Sequence, residues 1–443
     1  MGVPRREFLL TLAGAACARP AFAASGWRAG IASVDVTPPP GLWMAGYAAR
    51  KEPAQGAAQP LHAKALALED DGGRRAVIVT LDLLGLTAPV VERIVQGVNR
   101  RHGLARERLV LCSSHTHSGP VIDDQLAVAY DLTPAQWDAV RAATRRIEEQ
   151  VVDVVGQALL APRPVRLRAG RSRAGFAANR RTAFPGGPTD HDVPVLAVER
   201  PDGALIGILF GYACHNTTLP ATFVRYHGDY AGVALAELQR RYPGATALFV
   251  AGCGADSNPA PRGTLDLVER HGRVLADAVG RGLVGAKEVG GRTLRTAFTN
   301  VTLDFAPPPP PEAWRARLED QNPYVRRHAR LMLDAIARDG RVQAFERAPL
   351  HVMRIGEVTF VAIGGEVVVD YALMIKRAHG ESTWVAGYAD SVFGYLPSRR
   401  VLQEGGYEGG EAMLYYGRPG PFATTVESSV MAGVEGLLRA TGA

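Results

Sequence analysis

The sequence has few cysteines, no long apolar run after its first two dozen residues and no concentration of charge of one sign. Four cysteines in 443 residues are too few for the disulfide framework that stabilises small secreted domains. No apolar stretch in the body of the chain is long enough to span a bilayer. With a formal net charge of +6 and no basic cluster interleaved with aromatic residues, the chain lacks the pattern of a nucleic-acid-binding protein. These absences favour a soluble globular enzyme.

The first residues have the pattern of an export signal. Arg5 and Arg6 precede an apolar stretch over residues 9–17, and a site for signal peptidase ends at Ala23. The paired arginines favour Tat-type export, and a Sec signal with two chance arginines is the alternative. Residues 1–23 are therefore predicted to be a signal peptide, and the mature protein is expected to be exported and to be periplasmic or secreted.

The three cysteines that remain after this signal form a sparse, odd-numbered set. Cys112, Cys214 and Cys253 lie within or beside apolar runs. Two alternatives remain for these cysteines: ligation of zinc by their thiolates, and one disulfide between two of them. Small buried core residues are the interpretation that this placement favours.

Apolar runs alternate with helix-like stretches along most of the chain. This alternation predicts an α/β fold in which a mixed, mainly buried sheet is flanked by helices. The predicted strands cover residues 76–82, 109–113, 205–211 and 247–251, and the predicted helices cover residues 89–101, 133–160, 230–241 and 265–282.

Five consecutive prolines at residues 307–311 interrupt this alternation. Such a run can only be an extended connector. A helix is predicted over residues 311–337, and strands at 351–355 and 358–363 then form a closely associated C-terminal part that contains β-structure. We interpret the prolines as a break between sub-regions of one catalytic domain over residues 24–443, because candidate site residues lie on both sides of them.

Several apolar strands run into side chains that can bind a metal. His115 and His117 follow one strand, His215 follows another, and Glu366 follows a third. Because the carboxyl ends of strands line the ligand crevice in open α/β sheets, these side chains are expected to converge. Two histidines and one carboxylate suit Zn²⁺ with a position left open for water, whose pKa zinc would lower to about 7.

Three segments in the N-terminal half have a distinctive sequence. They are Gly-Ile-Ala-Ser-Val-Asp-Val-Thr-Pro-Pro at residues 30–39, Pro-Leu-His-Ala-Lys-Ala-Leu at 60–66 and Ser-His-Thr-His-Ser-Gly-Pro at 114–120. Together they resemble the neutral/alkaline ceramidase family. The resemblance covers nearly all of the chain after the signal, and its later parts are Ala-Asn-Arg-Arg at 178–181, the loop of His215, Glu366, Gly-Tyr at 394–395 and Tyr-Glu-Gly at 407–409.

The resemblance implies a zinc site with four protein ligands. The family's ligands correspond to His115, His215, Glu366 and Tyr395, in matching order along the chain. Taken singly, a histidine at a strand end is more often a hydrogen-bonded structural residue, so the assignment depends on the whole set. Zn²⁺ is the cofactor that the resemblance implies.

The resemblance also implies three groups that act on the substrate. Tyr407 matches a family tyrosine that helps to stabilise the developing oxyanion. Arg180 matches an arginine of the family's pocket. His117 is similar to the second histidine of the His-Thr-His motif, and it is expected to transfer a proton or to assist at the oxyanion.

The sequence departs from the family at the serine of Gly-Asp-x-Ser-Pro-Asn, which lies near the scissile bond. When Asp256 and Pro259 are aligned with this motif, the serine position becomes Asn258 and Ser257 comes one residue early. Either Ser257 moves into place, or zinc-bound hydroxide attacks without a serine. Family members also continue into an immunoglobulin-like domain, whereas this sequence ends soon after the tyrosine motifs, so substrate presentation is expected to differ.

The expected activity is hydrolysis of a linear N-acyl amide, ceramide-like, into a fatty acid and a sphingoid base. A zinc hydrolase of another amide or an ester on the same scaffold is the nearest alternative. A non-catalytic periplasmic binding protein is the alternative from another class. The expected partner is a small-molecule or lipid amide substrate, with no nucleic acid and no obligate protein partner evident, and peripheral contact with a membrane stays open.

Overall fold

The computed structural model describes residues 26–181 and 186–442, together with Gly2. Apart from Gly2, the predicted signal peptide lies outside the described residues. The strands of the described part are β1 (Arg28–Asp35), β2 (His62–Glu69), β3 (Arg75–Leu81), β4 (Leu109–Ser113), β5 (Arg163–Pro164), β6 (Arg166–Arg173), β7 (Ala177–Asn179), β8 (Asp192–Glu199), β9 (Leu205–Tyr212), β10 (Thr246–Ala251), β11 (Ser257–Pro259), β12 (Lys287–Glu288), β13 (Leu294–Asp304), β14 (Phe345–Ile355), β15 (Val358–Ile363), β16 (Glu366–Val367), β17 (Trp384–Ala386) and β18 (Tyr395–Leu396). Its helices are α1 (Ala88–His102), α2 (Pro134–Leu160), α3 (Asp229–Arg241), α4 (Leu265–Val284), α5 (Pro311–Ala316), α6 (Pro323–Asp339), α7 (Val369–His379), α8 (Arg399–Glu404), α9 (Gly406–Gly409) and α10 (Val426–Thr441).

The first sheet has the strand order β4-β3-β2-β1-β5 and packs against α1 and α2. β3 and β4 are parallel, because α1 connects them, and the other pairs are antiparallel. A capping box starts α2: the Thr133 hydroxyl accepts from the Gln136 N–H, and the Gln136 side chain accepts from the Thr133 N–H. The helix buries Val151 and Val155 in one apolar cluster with Ala65 of β2.

The second sheet repeats this arrangement with the strand order β10-β9-β8-β6-β12 and with α3 and α4 on one face. β9 and β10 are parallel and are connected through α3, whereas the other pairs are antiparallel. Phe210 of β9 and Phe249 of β10 pack with ring centroids 5.5 Å apart, in the same buried cluster as Leu238 of α3. The carboxyl end of β9 is therefore supported by a well-packed core.

The third sheet lies after the second along the chain and has the order β13-β14-β15-β17, packed against α7 and α10. β15 and β17 are parallel, and the chain between them passes through β16 and α7. The short strands β16 and β18 form a separate parallel pair, and β11 and β7 form a separate antiparallel pair. The C-terminal part thus contains β-structure, as predicted.

The predicted single helix over residues 311–337 is wrong. α5 ends at Ala316 and α6 begins at Pro323. Proline has no N–H and disfavours helical backbone in the residue before it, so a helix cannot continue through Pro323. The Asn322 side chain accepts a hydrogen bond from the Tyr324 N–H and begins the second helix instead.

Side chains from all three sheets meet in one buried cluster. Leu66 and Val110 of the first sheet share it with Leu209 and Leu248 of the second and Phe360 of the third. Each sheet therefore has helices on one face and the other sheets on the opposite face. The α/β prediction is confirmed, with several mixed sheets where the sequence suggested one.

The three cysteines of the described part are free and buried: Cys112, Cys214 and Cys253. This confirms their interpretation as small core residues, and no disulfide joins them. Among the helices that the structure describes, none combines the length and the apolar content that crossing a bilayer requires.

Candidate metal centre

Two histidines meet where β4 and β9 end. Thr116 and Asn216, one residue beyond each histidine, form a parallel bridge, and Asn216 Nδ2 donates to Ser114 O at 2.5 Å. This pairing places the ring centroids of His115 and His215 4.7 Å apart, at an interplanar angle of 81°. The strand ends therefore converge as expected from the sequence.

Backbone carbonyls orient both imidazoles. His115 Nδ1 lies 2.7 Å from Leu84 O, and His215 Nδ1 lies 3.0 Å from Gly254 O. Because a carbonyl oxygen only accepts, each Nδ1 carries a proton and each Nε2 is left to present a lone pair. Burial, reinforced by the charge of Arg180, lowers the pKa of His215 to about 4, which favours the neutral ring at pH 7.

The carboxylate of Glu366 lies against both Nε2 atoms. Its Oε2 is 3.2 Å from His115 Nε2 and 3.1 Å from His215 Nε2. Within the described residues, this buried oxygen has no hydrogen-bond partner, whereas Oε1 accepts a hydrogen bond from Tyr416. Two imidazole lone pairs and a carboxylate oxygen that face one another in a buried site are unfavourable unless a cation lies among them. Zinc binds this nitrogen and oxygen donor set.

Tyr395 is held beside Glu366 by backbone pairing. β16 and β18 are parallel, with Glu366 directly opposite Tyr395. The Tyr395 hydroxyl lies 3.4 Å from His215 Nε2 and accepts a hydrogen bond from Arg180 Nη2 at 2.9 Å. Burial raises the pKa of Tyr395, and Arg180 opposes that effect by favouring the phenolate. The structure thus brings together His115 and the other three residues that the resemblance assigns as ligands.

His117 lies in the same cluster as these ligands. Imidazole nitrogens of His115, His117 and His215 lie within 4.8 Å of one another, a spacing that can hold a metal ion. His117 Nε2 is 3.3 Å from His115 Nε2, while His117 Nδ1 is buried without a hydrogen-bond partner in the described part of the chain. Gly46 allows this position, because its φ is +94° and a Cβ there would lie 2.4 Å from His117 Nδ1.

Arg180 connects the Tyr395 hydroxyl to a charged network. Its Nε donates to Glu408 Oε1 at 2.8 Å, and its Nη1 donates to Asn258 Oδ1 at 3.2 Å. The neighbouring Arg181 pairs with Glu408 at 2.9 Å and with a second carboxylate on α8. These bonds fix the Arg180 guanidinium at the edge of the centre.

Tyr407 lies next to the same network. It is carried by the short helix α9, its ring centroid is 5.3 Å from that of Tyr395, and the Arg180 guanidinium carbon is 5.8 Å from its ring. Although 44% of Tyr407 is exposed, desolvation by the surrounding residues and the nearby Glu366 raise its pKa, so its phenol remains a hydrogen-bond donor at neutral pH.

The structure separates Ser257 from Asn258. Both lie on the short strand β11, where successive side chains face opposite ways. Asn258 lines the cavity beside the centre, and its Oδ1 accepts hydrogen bonds from Arg180 Nη1 and Thr217 Oγ1, both at 3.2 Å. Ser257 is fully buried, its Oγ has no partner within the described residues, and it lines neither cavity of the site.

Three residues of the site were not predicted: Thr217, Tyr388 and Tyr416. The Tyr388 ring stacks on His115 with centroids 4.3 Å apart, and its φ is +53°. Thr217 lies two residues after His215, so the alternation that drew attention to His117 could have identified it. Tyr388 and Tyr416 lie outside regular elements, where no periodic pattern marks them.

A buried ion-pair cluster anchors the segment that carries Tyr388. Asp390 Oδ2 lies 2.5 Å from Arg106 Nη2 and 2.7 Å from His351 Nε2, and Asp390 Oδ1 accepts from Leu111 N at 3.1 Å. Burial acts to raise the pKa of the Asp390 carboxyl, but the Arg106 guanidinium and the His351 ring hold it far below its usual range. The cluster ties β4 and β14 to the segment behind the histidines.

Two cavities adjoin the centre, and His117, Tyr395 and Tyr407 line both. The polar compartment has a volume of about 540 Å³, and the side chains that define it are Arg180, Arg181, Thr217, Arg262, Glu404 and Glu408. The apolar compartment has a volume of about 230 Å³. Besides His115, Glu366 and Tyr416 of the centre, it is lined by Ala48, Ala49, Leu84, Leu126, Ala129 and Tyr415.

The fold and the centre define a class: an α/β protein with a buried histidine–carboxylate site able to hold a metal. The family model described as neutral/alkaline non-lysosomal ceramidase, N-terminal, matches residues 27–258, just over half of the chain. The chain therefore belongs to the neutral/alkaline non-lysosomal ceramidase family, a family of hydrolases, and the resemblance found in its motifs is confirmed.

Solved ceramidase structures share this fold. Neutral ceramidase from Pseudomonas aeruginosa matches with a TM-score of 0.71 at 18% sequence identity, over 93% of this chain and 75% of that chain. A structure described as ceramidase complexed with C2 also matches with a TM-score of 0.71 at 18% identity, over 93% of this chain and 76% of that chain. No curated protein sequence matches this one.

Proposed function

We propose that the protein is a zinc-dependent hydrolase that cleaves the N-acyl amide bond of a ceramide-like substrate into a fatty acid and an amine. The observation that supports the metal most strongly is the unpartnered, buried Oε2 of Glu366, 3.2 Å from His115 Nε2 and 3.1 Å from His215 Nε2. Membership of a ceramidase family supports the reaction class.

His115, His215, Glu366 and Tyr395 would hold the ion. Zinc supplies Lewis-acid polarisation of the substrate carbonyl and a lowered pKa for water. Arg180 donates to the Tyr395 hydroxyl at 2.9 Å, so it stabilises negative charge on that oxygen whenever the proton leaves.

His117, Tyr407 and Arg180 are the groups that would act on the substrate. His117 lines both cavities and its Nε2 lies 3.3 Å from His115 Nε2, so the neutral ring can accept a proton from the attacking water and return it to the leaving amine. The Tyr407 phenol, which also lines both cavities, would donate to the oxyanion, an interaction worth roughly 10²-fold in rate. Arg180 positions Tyr395 and Asn258 through its hydrogen bonds.

Water, without a serine intermediary, is the nucleophile in this proposal. Ser257 Oγ is buried away from both cavities, and the cavity position is filled by Asn258. The Asn258 amide oxygen is occupied by hydrogen bonds from Arg180 and Thr217, so it serves to orient neighbours.

The test combines zinc content with fatty-acid release from a short-chain ceramide, using the full chain and the variants His215→Ala and His379→Ala. Wild type should bind one zinc ion and release fatty acid until a chelator is added, and re-added zinc should restore release. His215→Ala should lose zinc. His379 pairs with Glu435 outside both cavities, so His379→Ala is the matched control and should behave as wild type. Full zinc retention in His215→Ala would remove the ligand assignment.

A zinc hydrolase of another amide or an ester is the second candidate. The observation that favours it is the small apolar compartment of about 230 Å³. Zinc-loaded protein that leaves ceramide intact but cleaves shorter amides or esters in a chelator-sensitive way would favour this candidate. Folded, zinc-bound protein with no turnover on any of them would favour a binding protein.

Export by the Tat route is also a proposal, based on Arg5, Arg6 and the site ending at Ala23. Mature protein from the periplasmic fraction should begin at Ala24 when its N-terminus is sequenced. An intact N-terminus on active cytoplasmic protein would contradict export.

A further inference from the structure

The polar compartment carries a surplus of positive charge. Its wall includes Arg180, Arg181 and Arg262 but only two carboxylates, those of Glu404 and Glu408. All four oxygens of these carboxylates already accept hydrogen bonds from guanidinium groups. Among the residues that the structure describes, no carboxylate lies within ion-pair distance of Arg262. One guanidinium at the cavity is thus left without a counter-charge from the protein.

The backbone on both sides of Arg262 is fixed. Ala260 N donates to Phe176 O at 2.8 Å, and Gly263 N donates to Thr218 O at 2.8 Å. The side chain is exposed, but these bonds hold its Cα at the cavity edge. Arg262 therefore lines the compartment from a fixed backbone position.

The two compartments differ in the chemistry that they offer to the two halves of an amide. His117, Tyr395 and Tyr407, which line both compartments together with Gly46 and Tyr47, surround the place where the carbonyl would lie. The alanine and leucine side chains of the apolar compartment suit an acyl chain. The amine half is then directed into the polar compartment, where an aliphatic sphingoid chain would have to desolvate charged groups.

We propose that the polar compartment is an anion-binding site for the amine half of the substrate, and that the substrate is a short-chain N-acyl amide whose amine carries a carboxylate or a phosphate bound by Arg262. This inference rests on the proposed function, since it assumes that an amide is cleaved at the centre between the compartments, and it replaces the sphingoid half of the ceramide-like substrate by an anionic amine. A guanidinium matches both anions in a two-bond geometry. A charge-assisted hydrogen bond of this kind corresponds to a preference of roughly 10- to 100-fold over a neutral amine.

Three hexanoyl amides with different amine halves test the inference: N-hexanoylethanolamine, N-hexanoylglycine and N-hexanoylphosphoethanolamine. With the zinc-loaded full chain, kcat/KM for at least one anionic amide should exceed that of the neutral amide by roughly 10-fold or more, and the excess should shrink with added salt. Comparing kcat/KM for N-hexanoylglycine and N-hexanoylphosphoethanolamine shows whether the site prefers a carboxylate or a phosphate. Arg262→Gln should bring the ratio of anionic to neutral kcat/KM close to one. Arg270→Gln, an exposed arginine of α4 outside both cavities, is the matched control and should keep the wild-type ratio.

Calorimetric binding of the same amides separates this inference from the proposed function. Equal kcat/KM for neutral and anionic amides would overturn the anion site and leave the hydrolase intact. If no amide is cleaved but the anionic ones bind roughly 10-fold tighter and Arg262→Gln abolishes the difference, the anion site stands and the proposed function fails. Equal binding of all three amides without turnover would overturn both.

Discussion

Glu366 is held through one of its carboxylate oxygens. Oε1 accepts a hydrogen bond from Tyr416, while Oε2 faces His115 and His215. Because Tyr416 fixes the carboxylate plane without touching the histidines, it is a positioning residue for the centre. A ligand whose second oxygen is tied in this way loses little conformational freedom when a metal binds.

Ser257→Ala should keep zinc binding and turnover within about threefold of wild type. The reason is that Ser257 Oγ is fully buried, lines neither cavity and has no partner among the described residues, so its removal takes away no contact of the site. Because the deleted hydroxyl is an unsatisfied polar group, the free energy of unfolding should stay equal or rise by about 1 kcal/mol. Steady-state kinetics and urea unfolding measure both quantities.

The companion variant Thr217→Val replaces a hydroxyl that does line the cavity and donates to Asn258 at 3.2 Å. It should lower kcat/KM more than Ser257→Ala does. A folded, zinc-loaded Ser257→Ala protein without turnover would show that this serine does reach the substrate, as the first of the two interpretations of the shifted motif requires.

Some residues of the centre could be predicted from the sequence more readily than others. His115, His215 and Glu366 could be singled out because each follows an apolar strand, and strand ends converge. Tyr395, Tyr407 and Arg180 depended on the family resemblance, since no spacing marks them. Tyr388 and Tyr416 could not be found by either route, because their segments follow no period and their partners are remote in sequence.

The segment around Tyr388 shows how an irregular element is held in place. Asp390 binds Arg106, His351 and the Leu111 N–H, which lie on or beside strands of two sheets. Through Asp390, the stack of Tyr388 on His115 depends on groups that themselves never touch the centre. The element is therefore rigid for an electrostatic reason, although it has no regular structure.

Asp390→Asn should lower the free energy of unfolding at pH 7 by about 3 kcal/mol, because it leaves Arg106 without its buried counter-charge and replaces the charged acceptor of His351 by a neutral one. The folded-state pKa of Asp390 lies below its unfolded value, so its contribution is present above the usual carboxyl pKa of about 3.9 and is lost as pH falls below it.

Urea unfolding of wild type and Asp390→Asn across pH 3 to 7, with the exposed Asp266→Asn as the matched control, checks this expectation. The wild-type curve should fall more steeply on the acid side than that of Asp390→Asn, and Asp266→Asn should follow wild type. Parallel curves for all three proteins would show that the pKa of Asp390 is not depressed by folding.

At the scale of elements, apolar strands were predicted well and interruptions poorly. β4 and β15 begin and end at the predicted residues, because each is a short run of large apolar side chains. The segment over residues 311–337 has helical composition throughout, but Pro323 divides it. The division into several sheets could not be predicted, since strand periodicity reports which face is buried and not which strand is the neighbour.

Each of the three large sheets contributes a residue to the centre. His115 follows β4 of the first sheet, His215 follows β9 of the second, and Glu366 follows β15 of the third. The candidate ligands therefore come from both sides of the proline run at residues 307–311, and the sheets that carry them share one buried cluster. A bound ion would connect three layers that the chain alone connects only through packing and loops.

Zinc should raise the melting temperature of the described fold in one transition, because the ion stabilises only the state in which all three sheets are docked. Binding at a free zinc concentration about 1,000 times Kd adds about 4 kcal/mol, which corresponds to a rise of several degrees. Scanning calorimetry with and without zinc measures it, and His215→Ala should show no rise. Two separate transitions, only one of them responsive to zinc, would contradict the coupling.

The hydrogen bonds from His115 to Leu84 O and from His215 to Gly254 O have an evolutionary consequence. Their acceptors are main-chain atoms, which every amino acid possesses, so no single codon change at either position deletes the group that orients the ring. Where side chains serve this purpose, one substitution can misalign the imidazole. In this protein, the pockets around the histidines are free to diversify toward new substrates while the orientation of the two rings is inherited with the path of the backbone.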